Sequence, residues 1–511
     1  MAEASVREDA TGPVRDASAC PPPVRTKLAY GFGSVAFGVK DNGFNYFLLI
    51  FYSQVIGVDA RLVGLAITTA LVIDALSDPI VGYWSDNLRS RWGRRHPFMY
   101  AAAIPVSASY FLLWNPPVGW SEQALFLYVL VLAVAIRTFI TFYETPSSAL
   151  AAELTEDYDQ RSSLLSFRYY FGWTGGNLMS VLMFMALFPA FATAAIPNGQ
   201  FNRDAYQLYG VIASALIFAA ILVSALGTHS RIAHLKPAPP KRALTPAKVF
   251  REIFETLANR SFVALFISFL LGAIATGLSA ALAFYFTTYF WGFTPQQTGW
   301  VTVSVFVSAI IGSVMAPIVT RRLGKKRGAM IIGLIAFIGS PTPIMLRVLG
   351  FLPGNEHPAI FWFVLTATMI DVGLIICFQI LASSMLADLV EQAEVRTGRR
   401  SEGLFFAAAT FVRKAVQGLG VITAGFVLAA AEFPTGAAQG QVSEATLRSL
   451  GMYYAPTILV LWLAMMAVLS TYRLSREGHE ENLRRLAESR RTGSSGGEAT
   501  GLIRPDDTTT E

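Results

Sequence analysis

Two aspartates four residues apart, Asp74 and Asp78, lie inside the apolar run "LVIDALSDPIVGYWSD" at residues 71–86. On a helix they stand one turn apart, where two negative charges repel unless a cation or a proton sits between them. Paired carboxylate oxygens with the Ser77 hydroxyl beside them suit a desolvated alkali cation or a shared proton. Thr141 and Glu144, three apart on a second apolar run, offer further oxygens to complete such a site. The alternative is structural: Asp74 and Asp78 pair with Lys40 or Lys414 and lock helices together, and residue types weigh the two readings evenly. Glu144 and Arg168 also read two ways. A carboxylate and a guanidinium fork can grip adjacent hydroxyls of a sugar, or they can bridge two helices. Trp84, Trp173 and Trp291 fit sugar stacking, or anchoring at a membrane surface.

These residues must be held by a membrane protein. Of 511 residues, 53% are hydrophobic and 14% charged, with a mean hydropathy of +0.48. A span takes ~20 apolar residues, and twelve runs qualify: 29–56, 61–84, 98–119, 123–153, 163–189, 207–227, 261–291, 297–320, 328–349, 358–387, 403–432 and 450–473. An ionised side chain at mid-membrane costs on the order of 3 kcal/mol, so each implies a partner or an aqueous cavity. Most lie in the first half: Lys40, Asp41, Asp74, Asp78, Arg137, Glu144 and Arg168. The second half has Asp371, Arg413 and Lys414.

Lys and Arg collect in alternate loops, as in "NLRSRWGRRH" and "TRRLGKKRG", while "WNPPVGWSEQ" and "LPGNEHP" hold none. Such asymmetry puts both termini in the cytoplasm, and the net charge of +6 is a topology signal, with no nucleic-acid partner implied. Residues 1–28 and 474–511 are expected to be disordered cytoplasmic tails, without a cleaved signal peptide. Residues 228–260 form a cytoplasmic linker in which Thr245 caps an amphipathic helix bearing Val249, Phe250, Ile253, Phe254 and Leu257. Cys20 and Cys377 are too few for a disulfide framework, and the five histidines lack metal-ligand spacing, so no metal or cofactor is expected. No nucleophile set or phosphate loop supports an enzyme.

The two halves look repeated. Gly93 in "SDNLRSRWGRR" and Gly324 in "VTRRLGKKR" are 231 residues apart, and Glu153 in "SSALAAELTEDYDQR" and Asp388 in "SSMLADLVEQAEVR" are 235 apart. Two matches at nearly one offset imply a duplicated six-helix unit, 29–227 and 261–473, the halves running parallel as in the major facilitator fold. A cargo then binds between the halves near mid-membrane. Asp86, Arg94 and Arg95 at the end of the second helix, with the repeat-related acid and arginine pair Glu153 and Arg161 and its counterpart Asp388, read as a cytoplasmic gate that holds one conformation shut.

The segments "DALSDPIVGYWSDNLRSRWGRRHPF", "YETPSSALAAELTEDYDQRSSLLSFR", "MLADLVEQAEVRTGRRSEG" and "FVRKAVQGLG" resemble the glycoside-pentoside-hexuronide:cation symporters, the melibiose permease-like branch of the major facilitator superfamily. The likeness runs from about residue 26 to 473. It implies a sugar carrier driven by Na⁺ or H⁺, in a bacterial inner membrane, acting as a monomer. Asp74, Ser77, Asp78 and Thr141 match cation-binding positions; Asp41, Glu144, Arg168 and Gln379 match substrate positions; Lys40, Arg137 and Lys414 match the charge network around them. Glu144, Ser148 and Gln379 stand where the family's type member has an aspartate and two aromatics, so the resemblance does not extend to galactosides. Animal relatives with similar second-helix acids carry lysophospholipids, which makes an amphipathic lipid the alternative cargo.

Overall fold

The computed structural model describes residues 22–155, 157–232, 260–397, 416 and 418–471, and every secondary-structure element among them is helical. The helices are α1 (Val24–Phe32), α2 (Val35–Asn42), α3 (Ala60–Asn87), α4 (His96–Leu113), α5 (Glu122–Leu154), α6 (Tyr158–Leu182), α7 (Arg203–His229), α8 (Arg260–Tyr285), α9 (Pro295–Leu323), α10 (Lys325–Gly339), α11 (Thr342–Val348), α12 (Pro358–Thr397), α13 (Gly418–Ala430) and α14 (Glu444–Ser470). Nine spans among the described residues are long and apolar enough to cross a membrane. The linker helix after Thr245, residues 1–21 and 472–511, Arg413 and Lys414 lie outside the described residues, as does the side chain of Asp388, and α1 corrects the expected tail 1–28 because it is already helical from Val24.

Polar residues start these helices where their orphan N–H groups need acceptors. Asp59 accepts from the Arg61 amide, Asp157 from that of Gln160 and Ser443 from that of Thr446. Thr294 and Gln297 form a reciprocal capping box at α9.

Two expected spans are corrected. The run 29–56 is not one α-helix: it breaks at Gly33–Ser34 and then takes π geometry over Gly43–Phe47 and Phe51–Ile56. The run 98–119 stops at Leu113, ahead of "NPPVG". The runs 328–349 and 358–387 stand as the apolar spans Lys325–Val348 and Pro358–Met385; the first has a turn at Ser340–Pro341, where proline cannot donate to the helix ladder, and the helix of the second runs on to Thr397. Pro79 in α3 and Pro146 in α5 remain inside their helices. Each leaves the carbonyl four residues earlier, at Ala75 and Phe142, without its usual backbone donor.

Small residues set the closest helix contacts. A Cβ added to Gly38 of α2 would strike the Gly172 carbonyl of α6, and one on Gly176 would strike the Gly38 carbonyl. The two backbones touch, in the manner of packed membrane helices. This draws α2, which carries Lys40 and Asp41, against α6, which carries Arg168. α3 packs on α5, α4 on α5 and α7, α9 on α12, and α8 on α14.

The helix ends fall into two sets. One, the basic end, gathers Asp86, Arg94, Arg95, Glu153, Arg231 and the run from Arg321 to Arg327. The opposite end holds Gly57, Trp114 to Ser121, the loop 191–202 and the loop 431–443. Toward that opposite end the segment 22–232 meets the segment 260–471: the Thr68 hydroxyl of α3 donates to the Gly418 carbonyl of α13 at 2.6 Å.

Candidate cation and substrate site

The site is built at mid-height of α3 and α5. Asp74 is fully buried, as is Thr141. The Thr141 hydroxyl lies 2.8 Å from Asp74 Oδ1, 3.1 Å from Asp78 Oδ1 and 3.0 Å from the Arg137 carbonyl of its own helix. A hydroxyl has one proton to give. It therefore satisfies one of these three oxygens at a time, and an oxygen of each carboxylate comes within 3.1 Å of that one hydroxyl. Arg137 Nη1 reaches Asp74 Oδ2 at 3.3 Å, with the guanidinium over the Phe44 ring at 4.8 Å. Asp74 thus has an arginine partner from α5; of the two lysines that the sequence offers it, Lys414 lies outside the described residues.

The other expected residues separate into neighbours. Ser77 turns its hydroxyl to the Asp74 carbonyl at 3.0 Å, a bond within its own helix. Lys40, 1% exposed, pairs with Asp41 at 2.9 Å and reaches Glu144 at 3.9 Å. Glu144 thus stands beside Lys40. Arg168 donates to the Ser147 hydroxyl at 3.0 Å and to the Glu144 carbonyl at 3.4 Å, and it covers the Phe37 ring at 4.8 Å. It bridges α5 and α6, while Asp41 and Glu144 keep part of their surface accessible, at 44% and 24%. Gln379 is exposed on α12. Trp291 is buried, whereas Trp84 packs edge-on to Phe98 and Phe142, and Trp173 to Phe306.

At the basic end, Arg95 joins three partners: the Ser85 hydroxyl at 2.6 Å, Glu153 Oε1 at 2.9 Å, and Asp86. Arg94 adds a second bond to Glu153 Oε1 at 2.8 Å. These contacts tie the ends of α3 and α5 to the start of α4, all within the segment 22–232. The Arg161 Nε is buried with no acceptor among the described residues. At the opposite end, the Arg61 guanidinium beside Asp59 holds that carboxyl below its ordinary value of 3.8.

Sequence reasoning missed Phe37 and Phe44, which cover the two buried guanidinium groups, and Ser85 and Ser147, which accept from arginine. The signal for the two aromatics was their spacing on the first helix; nothing local singled out the serines.

The family described as MFS/sugar transport protein matches residues 29–476. An uncharacterized symporter of Synechocystis, sll1374, is 25% identical over 80% of this chain and 86% of its own length. The isoprimeverose transporter of Lactiplantibacillus pentosus is 23% identical over 84% and 85%. The sodium-dependent lysophosphatidylcholine symporter 1 of Gallus gallus is 23% identical over 93% and 91%. Among solved structures, the nucleoside transporter NupG superposes with a TM-score of 0.59 at 17% identity, over 87% of this chain and 98% of that one. That likeness establishes the all-helical fold.

Proposed function

From the premise that this chain belongs to the MFS/sugar transport protein family, a family of transporters and not of enzymes, we propose that it is a secondary active symporter moving a glycoside, oligosaccharide or uronide with Na⁺ or H⁺. The observation that carries the cation half is the Thr141 hydroxyl held between Asp74 and Asp78. Occupation of that point by a cation or a proton replaces a repulsion between carboxylates with an attraction, and Arg137 on Asp74 makes occupancy sensitive to how α3 sits on α5. In this reading Asp41 and Glu144, both partly accessible, and Arg168 supply paired hydrogen-bonding groups to a polyhydroxyl cargo. Lys40 faces two of these acids, Asp41 and Glu144. Twelve spans, both termini on the cytoplasmic side, a bacterial inner membrane and a working monomer complete the proposal.

A second reading is favoured by one observation, the similarity over 93% of this chain to a symporter named for lysophosphatidylcholine. In it the same cation site drives an amphipathic lipid. The deciding experiment is uptake into proteoliposomes of labelled sugars, uronides and lysolipids under an imposed Na⁺ or H⁺ gradient, with Asp78→Asn alongside. Sugar accumulation that requires one gradient and is lost in the variant supports the first reading. Lysolipid movement alone supports the second, and gradient-driven accumulation by Asp78→Asn at the wild-type level refutes both.

A further inference from the structure

The segments 22–232 and 260–471 close on each other through a matched pair of uncharged contacts at the end opposite the basic one. After α2 the chain enters the π turn Phe51–Ile56, and after α8 it enters the π turn Phe286–Phe290. The two exits coincide in detail. The Val58 amide donates back to the Tyr52 carbonyl at 2.9 Å, and the Phe293 amide to the Thr287 carbonyl at 2.9 Å. Gly57 and Gly292 follow with φ of 91° and 66°, a backbone region that side chains disfavour. Gln54 and Tyr289, which stand at the same place in the two turns, are 235 positions apart, the offset already seen between Glu153 and Asp388.

Each π turn grips a loop of the other segment. Gln54 Oε1 accepts from the Ala437 amide at 3.2 Å and the Tyr289 hydroxyl at 3.3 Å, and the Ser53 carbonyl accepts from the Gly436 amide at 3.1 Å. In return the Thr288 hydroxyl donates to Gln200 Oε1 at 2.8 Å. Where the two loops meet, Gln439 uses its whole amide. Its Nε2 donates to the carbonyls of Thr288 at 2.9 Å and Phe293 at 3.0 Å, and its Oε1 accepts from Asn198 Nδ2 at 2.6 Å. A π turn is an irregularity that leaves backbone carbonyls in need of donors and is often found at functional places. The Gln439 amide meets that need at one turn while fastening the opposite loop.

We propose that this neutral, repeat-related lock, with Gln439 and Asn198 at its centre, holds the entrance shut at the end opposite the basic one and is released when the carrier turns that way. Ser53 and Thr288 are fully buried and Gln54 is 5% exposed, which keeps water from the bonds these three side chains make, while those of Gln439 are part-buried. No member carries charge. Each bond therefore exchanges for a bond to water at modest cost, which suits a contact that must open once per cycle. The proposal rests on alternating access, and Gln439 and Asn198 act as positioning residues that touch neither cargo nor cation.

The test is labelling of a reporter cysteine under the lock. Tyr46, against Phe284 of the opposite segment, becomes Tyr46→Cys in a chain lacking Cys20 and Cys377, and a membrane-impermeant methanethiosulfonate is applied from the face that bears Gly436. Gln439→Ala and Asn198→Ala are each expected to raise the labelling rate about tenfold. The double variant should not exceed the faster single, because the two share one contact. Labelling from the basic face should not rise. Unchanged labelling in folded Gln439→Ala, or an equal rise from both faces, overturns the proposal. If Gln439→Ala does not fold, Thr288→Val, which deletes the bond to Gln200, decides by the same outcomes. The readout needs no cargo or ion gradient. Altered labelling with no uptake of any cargo would count against the function alone, and normal uptake with unaltered labelling against the lock alone.

Discussion

Replacing Arg137 by glutamine removes the guanidinium that faces Asp74 at 3.3 Å, where the two side chains are 3% and 1% exposed. At an effective dielectric of 20 that separation gives about 5 kcal/mol of attraction. The Thr141 hydroxyl remains to offset part of the loss, and breaking a buried pair by removing one member costs about 3 to 5 kcal/mol in total. Arg137→Gln and Asp74→Asn should each destabilise the protein by about 3 kcal/mol, each leaving the other's charge buried. The double variant buries neither charge and should cost much less than the sum, with a coupling of about 3 kcal/mol. Thermal or denaturant unfolding of all four proteins in the same detergent, without Na⁺, reads this directly. The coupling cation should also stabilise Arg137→Gln more than the wild type, since loss of the guanidinium leaves the carboxylate pair more negative. A coupling below about 0.5 kcal/mol would refute the idea that the pair is held in a water-poor site, and cation-independent melting of Arg137→Gln would refute cation binding at the carboxylate pair.

Thr141→Val deletes the hydroxyl between the carboxylates while keeping its shape, so the cation concentration for half-maximal uptake should rise about fivefold or more, with Thr141→Ser close to wild type. Asp59→Ala removes the cap of α3 and should cost about 1 kcal/mol at neutral pH. Because Arg61 lowers the Asp59 carboxyl in the folded chain, the stabilisation is complete above the ordinary value of 3.8 and fades as pH falls through the lowered one. The melting difference between Asp59→Ala and wild type should therefore narrow between neutral pH and about pH 3.

Long apolar runs made the spans legible, because length and composition alone decide whether a helix can cross a bilayer. The acids of α3 were legible as a pair since one helical turn fixes their separation. Their partner was not: Arg137 lies 63 positions away from Asp74, and only the packing of α3 on α5 selects it over Lys40. Glu144 shows the same limit, since its place three residues after Thr141 said nothing about Lys40 on α2. The breaks in the first helix escaped notice because "GFNYF" and "FYSQVI" hold no proline or charge to interrupt a helical reading, and a π turn leaves no compositional mark. Gln439, Asn198 and Gln200 were passed over for a similar reason. Uncharged polar residues in loops are usually solvated, so their types give no sign of burial before their partners are known.

The two prolines give the site a mechanical property. Pro79 follows Asp78 at once, and Pro146 follows Thr145, whose hydroxyl lies 3.5 Å from Asp78. Seven residues beyond each proline stand Asp86 and Glu153, about 10 Å further along the axis at 1.5 Å per residue. Each arm is thus a short lever whose fulcrum is a missing backbone bond at the carboxylate site. A swing of about 10° at either fulcrum carries the tip by about 2 Å, enough to part hydrogen bonds of the length that Arg95 makes to Glu153. Under the proposed function an ion of sub-nanometre size at the carboxylates would thereby be geared to a displacement at the far end of the helix, and the stiffness of the arm, rather than the strength of any one contact, would set how much of that stroke is delivered.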